Sequence, residues 1–196
     1  MSIRQGTWTV CEQEERPAAE TALVRAGQAG DRTALARLLA LHKEALLAFC
    51  YGILGHVEDA EDAAQETLLL ALRALEGFRG DAAFRTWLFR IAVRLCLRHR
   101  AARRSTASLD DAGETPNAAP SPETIALARL QVLEALQHLP PRHRAILLLK
   151  EREGWSVSEI AAALGWSGIR VKNELAKARR ALVELRRQEA GKGEEA

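Results

Sequence analysis

The chain has 196 residues, 47% of them hydrophobic, with 13 glycines, 6 prolines and a formal net charge of only +2. That is enough apolar material for one or two compact cores, and the abundance of Ala, Leu, Arg and Glu favours helix; disorder throughout, a collagen-like repeat and a disulfide scaffold are excluded. No run approaches the roughly 18 consecutive apolar residues of a spanning helix, and Met1 to Glu15 holds no apolar signal core, so a cytoplasmic chain without membrane insertion is expected. Taken alone, the net charge is too small to announce a nucleic-acid partner.

In chain order, residues 1–19 form an N-terminal extension with a charge of −1. Residues 20–104, at +3, read as a first helical domain with three longer helices near 31–55, 57–76 and 82–103 and a short one near 20–28. In the second of these, Ala64, Leu68, Ala71, Leu72 and Leu75 recur at helical spacing as one apolar stripe; in the third, Phe84, Leu88, Ile91 and Leu95 do the same. Gly77 to Asp81 separates the two. Residues 105–123 carry −4, hold no Lys or Arg and are rich in Ser, Thr, Ala and Pro, the composition of a flexible acidic linker. Residues 124–189, at +5, read as a second domain with helices near 123–138, 141–152, 156–164 and 168–188, followed by a tail, 190–196. Pro141 suits a first helical turn, and Ser156 to Glu159 has the spacing of a capping box. Leu164 to Ser167 is a tight turn, and Val171, Leu175, Ala178 and Leu182 line the inner face of the last helix, which completes a helix-turn-helix. The fold class expected is therefore all-α, two small helical domains joined by an acidic linker.

Three stretches carry chemistry. Between His56 and Glu66 stand five carboxylates and no Lys or Arg; Asp59, Asp62 and Glu66 share one helix face, with Glu58, Glu61 and Gln65 beside them. Such a strip suits a well-capped solvated face, a divalent-metal site or a docking surface for a basic partner. Residues 79–104 reverse the sign, with eight arginines against one acid. Arg90, Arg94 and Arg98 recur every four residues, and Trp87 falls in the same stripe. Cations interleaved with an aromatic suit single-stranded nucleic acid, and equally an indole packed at the core edge under solvated arginines. In the last helix Ile169, Lys172, Asn173, Ala176 and Arg180 point outward, as residues reading a major groove would, although helix-turn-helix units also serve as plain packing motifs. Cys11, Cys50 and Cys96 form no C-x-x-C pair, and Pro140–Pro141 keeps His138 and His143 out of register. No metal site and no cofactor are expected; Cys50 and Cys96 read as small buried hydrophobes and Cys11 as a thiol in the arm.

The run Asp59-Ala-Glu-Asp-Ala-Ala-Gln-Glu66, with Ala74 to Asp81 and Phe84 to Ala92, resembles conserved region 2 of the extracytoplasmic-function sigma factors of the sigma-70 family. Leu139 to Arg144, Glu153 to Ala161, Val171-Lys172 and Ala178 to Leu182 resemble region 4, in the same order along the chain. The resemblance covers nearly everything from 20 to 188. It implies a transcription initiation factor, not an enzyme, whose partners are the RNA polymerase core, promoter DNA and an anti-sigma factor. It assigns Asp59, Glu61, Asp62, Gln65 and Glu66 to the β′ clamp helices. It gives recognition and opening of the −10 element to Phe78, Arg79, Phe84, Arg85, Thr86, Trp87, Arg90, Arg94 and Arg98, and the −35 element to Ser167, Ile169, Arg170, Lys172, Asn173, Ala176, Lys177 and Arg180. The apolar helix at Ile146–Leu149 would meet the β flap. A stand-alone helix-turn-helix regulator explains the second domain alone and leaves the acidic strip and the Trp–Arg helix without a role. In the recognition helix the chain departs from the family pattern: a glycine is displaced to Gly168, and Glu174 stands where an arginine is common. Glu174 is placed to accept from a cytosine amino group or to pair with Arg170.

Overall fold

The computed structural model describes residues 16–106 and 136–193. The arm with Trp8 and Cys11, and the acidic linker, lie outside the described residues. All regular structure within them is helical: α1 (Arg16–Gln28), α2 (Arg32–Leu54), α3 (Val57–Ala74, closed by a 3-10 turn at Leu75–Gly77), α4 (Phe84–Thr106), α5 (Pro141–Leu147, continued by a π-helical turn at Leu148–Arg152), α6 (Val157–Leu164) and α7 (Gly168–Gly193). Of the helix expected near 123–138, only the end at Leu136 and Gln137 is described. α1 begins at Arg16 rather than 20, and α7 runs to Gly193 rather than 188. No described helix is long and apolar enough to cross a membrane.

α2 is the pillar of the first domain and packs against α1, α3 and α4. Asp31 starts it by accepting from the backbone N–H of Thr33 (2.8 Å) and Ala34 (3.0 Å). Gly55 ends it in the left-handed region at φ 83°. A side chain there would be strained and would also collide with Gln137 Oε1. Along α2, Leu38, Leu46, Phe49 and Ile53 are fully buried, and the Phe49 ring meets Phe89 of α4 with centroids 4.9 Å apart. Cys50 and Cys96 are buried free thiols on these two helices. The contact with Cys50, and then burial, push the Cys96 thiol well up, so it acts as a small apolar group.

α3 turns small residues inward, Ala60, Ala63, Ala64, Thr67 and Ala71, which lets its backbone come close to its neighbours. Leu72, expected in the apolar stripe, is exposed: the inward face is set by these small residues and Leu75. α4 buries Phe84, Leu88 and Leu95 as expected, and also Phe89, Ala92, Val93 and Cys96. This face is wider than one apolar stripe because α4 is flanked on two sides.

The second flank is the helix-turn-helix domain. α5 packs on α7 and also on α2, and α6 packs on α7 and also on α4. The buried residues of both domains form one continuous cluster that includes Phe49, Phe89, Ile146, Leu149, Trp155, Ile160 and Val171. Two tethered modules were expected; in the structure they are docked. Ile146 to Leu149, expected to offer an apolar face to the β flap, are all buried here, because α5 is enclosed between α7 and α2. Truncating the ring at the centre of the first domain, Phe49→Ala, is expected to cost about 3–5 kcal/mol, read as a lowered urea midpoint by far-UV circular dichroism.

Candidate functional surfaces

The small-residue face of α3 fixes where its acids go. Glu58, Glu61, Asp62 and Gln65 are exposed, while Asp59 and Glu66 are half-buried. Glu58 and Asp59 occupy the first turn, where the helix dipole favours negative charge. Glu66, at the far end of the strip, is taken by α4: Arg98 Nη2 donates to Glu66 Oε1 at 2.7 Å, and His99 Nε2 lies 3.0 Å from Oε2. The acidic and basic surfaces read separately in the sequence thus meet at this residue. Among the described residues, no group of three or more His, Cys, Asp or Glu side chains is placed to hold a metal ion.

The turn before α4 is held from α1. Gln28 Nε2 donates to the carbonyls of Leu75 (3.0 Å) and Phe78 (2.8 Å), and Gly80 carries the chain round at φ 79°. Arg79 is exposed. Phe78, Phe84 and Trp87 form an aromatic triangle with centroid separations of 5.1–5.8 Å. Within it Trp87 and Phe78 are half-buried, as is Thr86 beside them. Phe84, placed with the −10 set by the resemblance, is buried against His42 and packs beneath Trp87. His42 Nε2 lies 3.5 Å from Glu20. The His42 contact, joined by the Arg85 backbone N–H, holds the Glu20 carboxyl below its ordinary range. A carboxylate of α1 therefore sits at the N-terminus of α4, where the dipole favours it.

Arg85, Arg90 and Arg94 of α4 face the second domain. Arg85 donates through Nε (2.9 Å) and Nη2 (2.7 Å) to Glu153 Oε2. Arg94 donates through Nε to the Ala163 carbonyl (2.7 Å) and through Nη2 to the Ala162 carbonyl (3.2 Å), at the C-terminal end of α6. Arg90 lies over the Trp155 ring, 6.0 Å from its centroid. Glu153, Trp155 and the α6 carbonyls were not picked out as partners of α4 by sequence reasoning. Nothing in a Glu-Gly-Trp turn says which helix it meets, and backbone carbonyls leave no trace in residue identity.

The helix-turn-helix is built as expected at both ends of α6. Glu159 N–H donates to Ser156 Oγ (3.2 Å) and Ser156 N–H donates to Glu159 Oε2 (2.8 Å), a complete capping box. Gly165 closes the helix at φ 67°. Ser167 Oγ accepts from the Arg170 N–H at 3.2 Å and starts α7. Val171, Leu175 and Ala178 are buried and Leu182 is half-buried. Ser167, Ile169, Arg170, Lys172, Asn173, Ala176, Lys177 and Arg180 are all exposed, so the structure brings the whole expected −35 set to the surface of one helix and its leading turn. Glu174 does not pair with Arg170. It accepts from Lys177 Nζ (2.8 Å) and lies 3.3 Å from His143 Nε2, because the packing of α5 on α7 places His143 beside it. The Arg170 guanidinium stacks on Trp166 instead, 4.3 Å from the ring centroid.

Residues 38–106 match the family Sigma-70 region 2, and residues 129–182 match Sigma-70, region 4. The chain is 38% identical over 173 residues to the ECF RNA polymerase sigma factor SigG of Mycobacterium tuberculosis (strain CDC 1551 / Oshkosh), an alignment covering 74% of this chain and 46% of that protein. It therefore spans about half the length of that curated relative. To the ECF RNA polymerase sigma factor SigM of Mycobacterium tuberculosis (strain ATCC 25618 / H37Rv) it is 35% identical over 175 residues, covering 88% of this chain and 86% of that one. Its fold superposes with a TM-score of 0.65 on the sigma factor RpoE in complex with the anti-sigma factor NepR from Bartonella quintana, at 26% identity over 77% of this chain and 95% of that one. Regions 2 and 4 in this order define the class, the sigma-70 proteins. Within it, the near full-length match to SigM shows that the chain belongs to the ECF sigma factor family.

The capping box supplies a pH test. The Ser156 backbone N–H, helped by its hydroxyl, holds the Glu159 carboxyl below its ordinary value of 4.5. A group depressed in the folded state stabilises the fold above its ordinary value and loses that contribution as the pH falls through the native one. Glu159→Gln should therefore be less stable than the parent at pH 7. The gap between their urea midpoints should close as the pH is taken below 4.5.

Proposed function

We propose that this chain is a promoter-specificity subunit of RNA polymerase that acts in the cytoplasm by binding and not by catalysis. The acidic face of α3, through Asp59, Glu61, Asp62, Gln65 and Glu66, docks on the β′ clamp helices, and α5 meets the β flap. Phe78, Arg79, Arg85, Thr86, Trp87, Arg90, Arg94 and Arg98, with Phe84 beneath them, recognise and open the −10 element. The outer face of α7 reads the −35 duplex. An anti-sigma factor is the expected inhibitor, as RpoE is held by NepR. The observation that carries this reading is the pairing, in one region 2 domain, of an acid strip, exposed at Glu58, Glu61 and Asp62, with a Trp–Arg helix, followed by a helix-turn-helix whose outward residues are all exposed. A stand-alone helix-turn-helix regulator has no use for the first two.

Run-off transcription with core polymerase over a genomic fragment library, with start sites sequenced, tests the activity and yields both promoter elements. Reversing charge with Asp59→Lys and Asp62→Lys should weaken core binding about tenfold or more and leave binding of a −35 duplex intact. Unchanged core affinity would show the docking assignment to be wrong. Lys172→Ala should weaken −35 binding across sequences and reduce the slope of log K against log salt by about 1. An unaltered slope in an equilibrium titration would remove Lys172 from the phosphate contacts.

A further inference from the structure

The turn between α3 and α4 is fixed by a side chain of α1. α3 gives out in the 3-10 turn Leu75–Gly77, and regular structure resumes only at Phe84. The last carbonyls of a helix have no partner within it and must find one elsewhere. Here a donor comes from the last turn of α1. Gln28 Nε2 donates to the Leu75 carbonyl at 3.0 Å and to the Phe78 carbonyl at 2.8 Å, across 47 and 50 residues of sequence. Both neighbours are acceptors, so the amide atom between them is the nitrogen, and its two hydrogens match the two oxygens. Gly27 makes the close approach possible: a Cβ there would lie 3.1 Å from Leu35 Cγ and 3.3 Å from Leu75 Cδ2. The Phe78 N–H donates back to the Leu75 carbonyl at 3.0 Å and closes the turn on the same oxygen.

The first residues assigned to the −10 element, Phe78 and Arg79, stand at this point of the chain. The Phe78 ring lies 5.1 Å from Trp87 and 5.8 Å from Phe84, centroid to centroid, so the backbone at 78 sets the aromatic surface. It also sets the direction in which Arg79, Gly80 and Asp81 leave, all of them exposed. A base in an opened strand is read by loop atoms and aromatic faces held around it, not by a groove. Without the amide, the Phe78 carbonyl loses its anchor and the segment leading to Arg79 gains freedom that must be given up again when a base is held. We propose that Gln28 is a positioning residue for −10 recognition: it need not touch DNA itself, and its amide fixes the turn that presents Phe78 and Arg79 to the opened strand. This rests on the proposed function. Gln28 stands in none of the sets assigned from the sequence, because a side chain that binds two backbone carbonyls leaves no pattern in residue identity.

Gln28→Met keeps the length of the side chain and removes both donors; Gln28→Glu keeps the shape and turns an oxygen toward the two carbonyls. Circular dichroism establishes that each variant is folded. The first measurement is run-off transcription with core polymerase from a promoter recovered from the genomic library and from copies with each −10 base substituted singly. In both variants the preference for the recovered base over its substitutes should fall about fivefold or more at one or two −10 positions and keep the wild-type ratio at the others. A merely structural defect lowers the active fraction for every promoter alike and cancels in the ratio. The second measurement is hydrogen exchange on the chain alone: the segment 76–83 should exchange faster in Gln28→Met, while α2 keeps its protection. Folded variants with wild-type ratios at every position, a loss spread evenly over the element, or wild-type exchange at 76–83 overturns the assignment. A wild type that initiates from no promoter removes the proposed function and the inference with it, whereas a wild type that initiates, with variants indistinguishable from it, loses the inference alone.

Discussion

A guanidinium that gives up part of its water must be given acceptors, and α4 makes that demand roughly every four residues. One side of the helix is core: Leu88, Phe89, Ala92, Val93 and Cys96 are fully buried. The other side carries Arg85, Arg90, Arg94 and Arg98, and each is answered differently, by a carboxylate of the second domain, an aromatic face, two helix-end carbonyls and a carboxylate of α3. The strength of these answers is uneven. Arg85 has a charged partner that is nearly dry, whereas the Arg90 Nε is buried without any hydrogen-bond acceptor. Leaving one partner of a desolvated pair behind is costly. The Arg85–Glu153 pair is the charged contact between α4 and the second domain whose acceptor is nearly dry, and it sits beside an apolar cluster shared by both domains. Where that domain sits in turn decides which surfaces remain open.

Local signals in the sequence carried local structure well. The capping box at Ser156, the glycine stop at Gly165, the inward residues of α7 and the acids of α3 follow from rules that act within one or two helical turns. Misreadings came where two elements compete for one residue. Phe84 satisfies both an apolar stripe and a DNA-facing set, and only the packing of His42 beneath it decides for the core. Leu72 continues an apolar spacing, yet the alanines of α3 draw the helix in on another side. That Ile146 to Leu149 are covered was also not legible, because the sequence does not say that α2 packs on them. Charge pairing across long separations was the least legible. Glu66 with Arg98, Arg85 with Glu153 and His143 with Glu174 join residues 31 to 68 positions apart, and a helical wheel compares only neighbours.

The recognition helix shows how such a pairing changes chemistry without changing exposure. Glu174 looks in the sequence like an acid aimed at DNA. Bound by Lys177 and His143, it is held against the α5 side of α7, and the Lys177 hydrogen bond first, then His143, keeps its carboxyl below the ordinary range. The field over the outward face is then set by Lys172, Arg170 and Arg180, which are exposed. Arg170, stacked on Trp166, is already narrowed in orientation. An arginine in that position can read a guanine edge at a smaller entropic cost than one that must first be ordered.

Near-neutrality, which at first speaks against a nucleic-acid partner, takes on a different meaning in this arrangement. A net charge of +2 is the sum of an acid strip, an arginine helix, an acidic linker and a basic recognition module. Surfaces of opposite sign on one chain are complementary to each other. Glu66 against Arg98 and Glu153 against Arg85 are the places where that complementarity is satisfied internally. Opposed charges let the chain pair its own surfaces, so the balance of signs reflects internal contacts as well as the net charge.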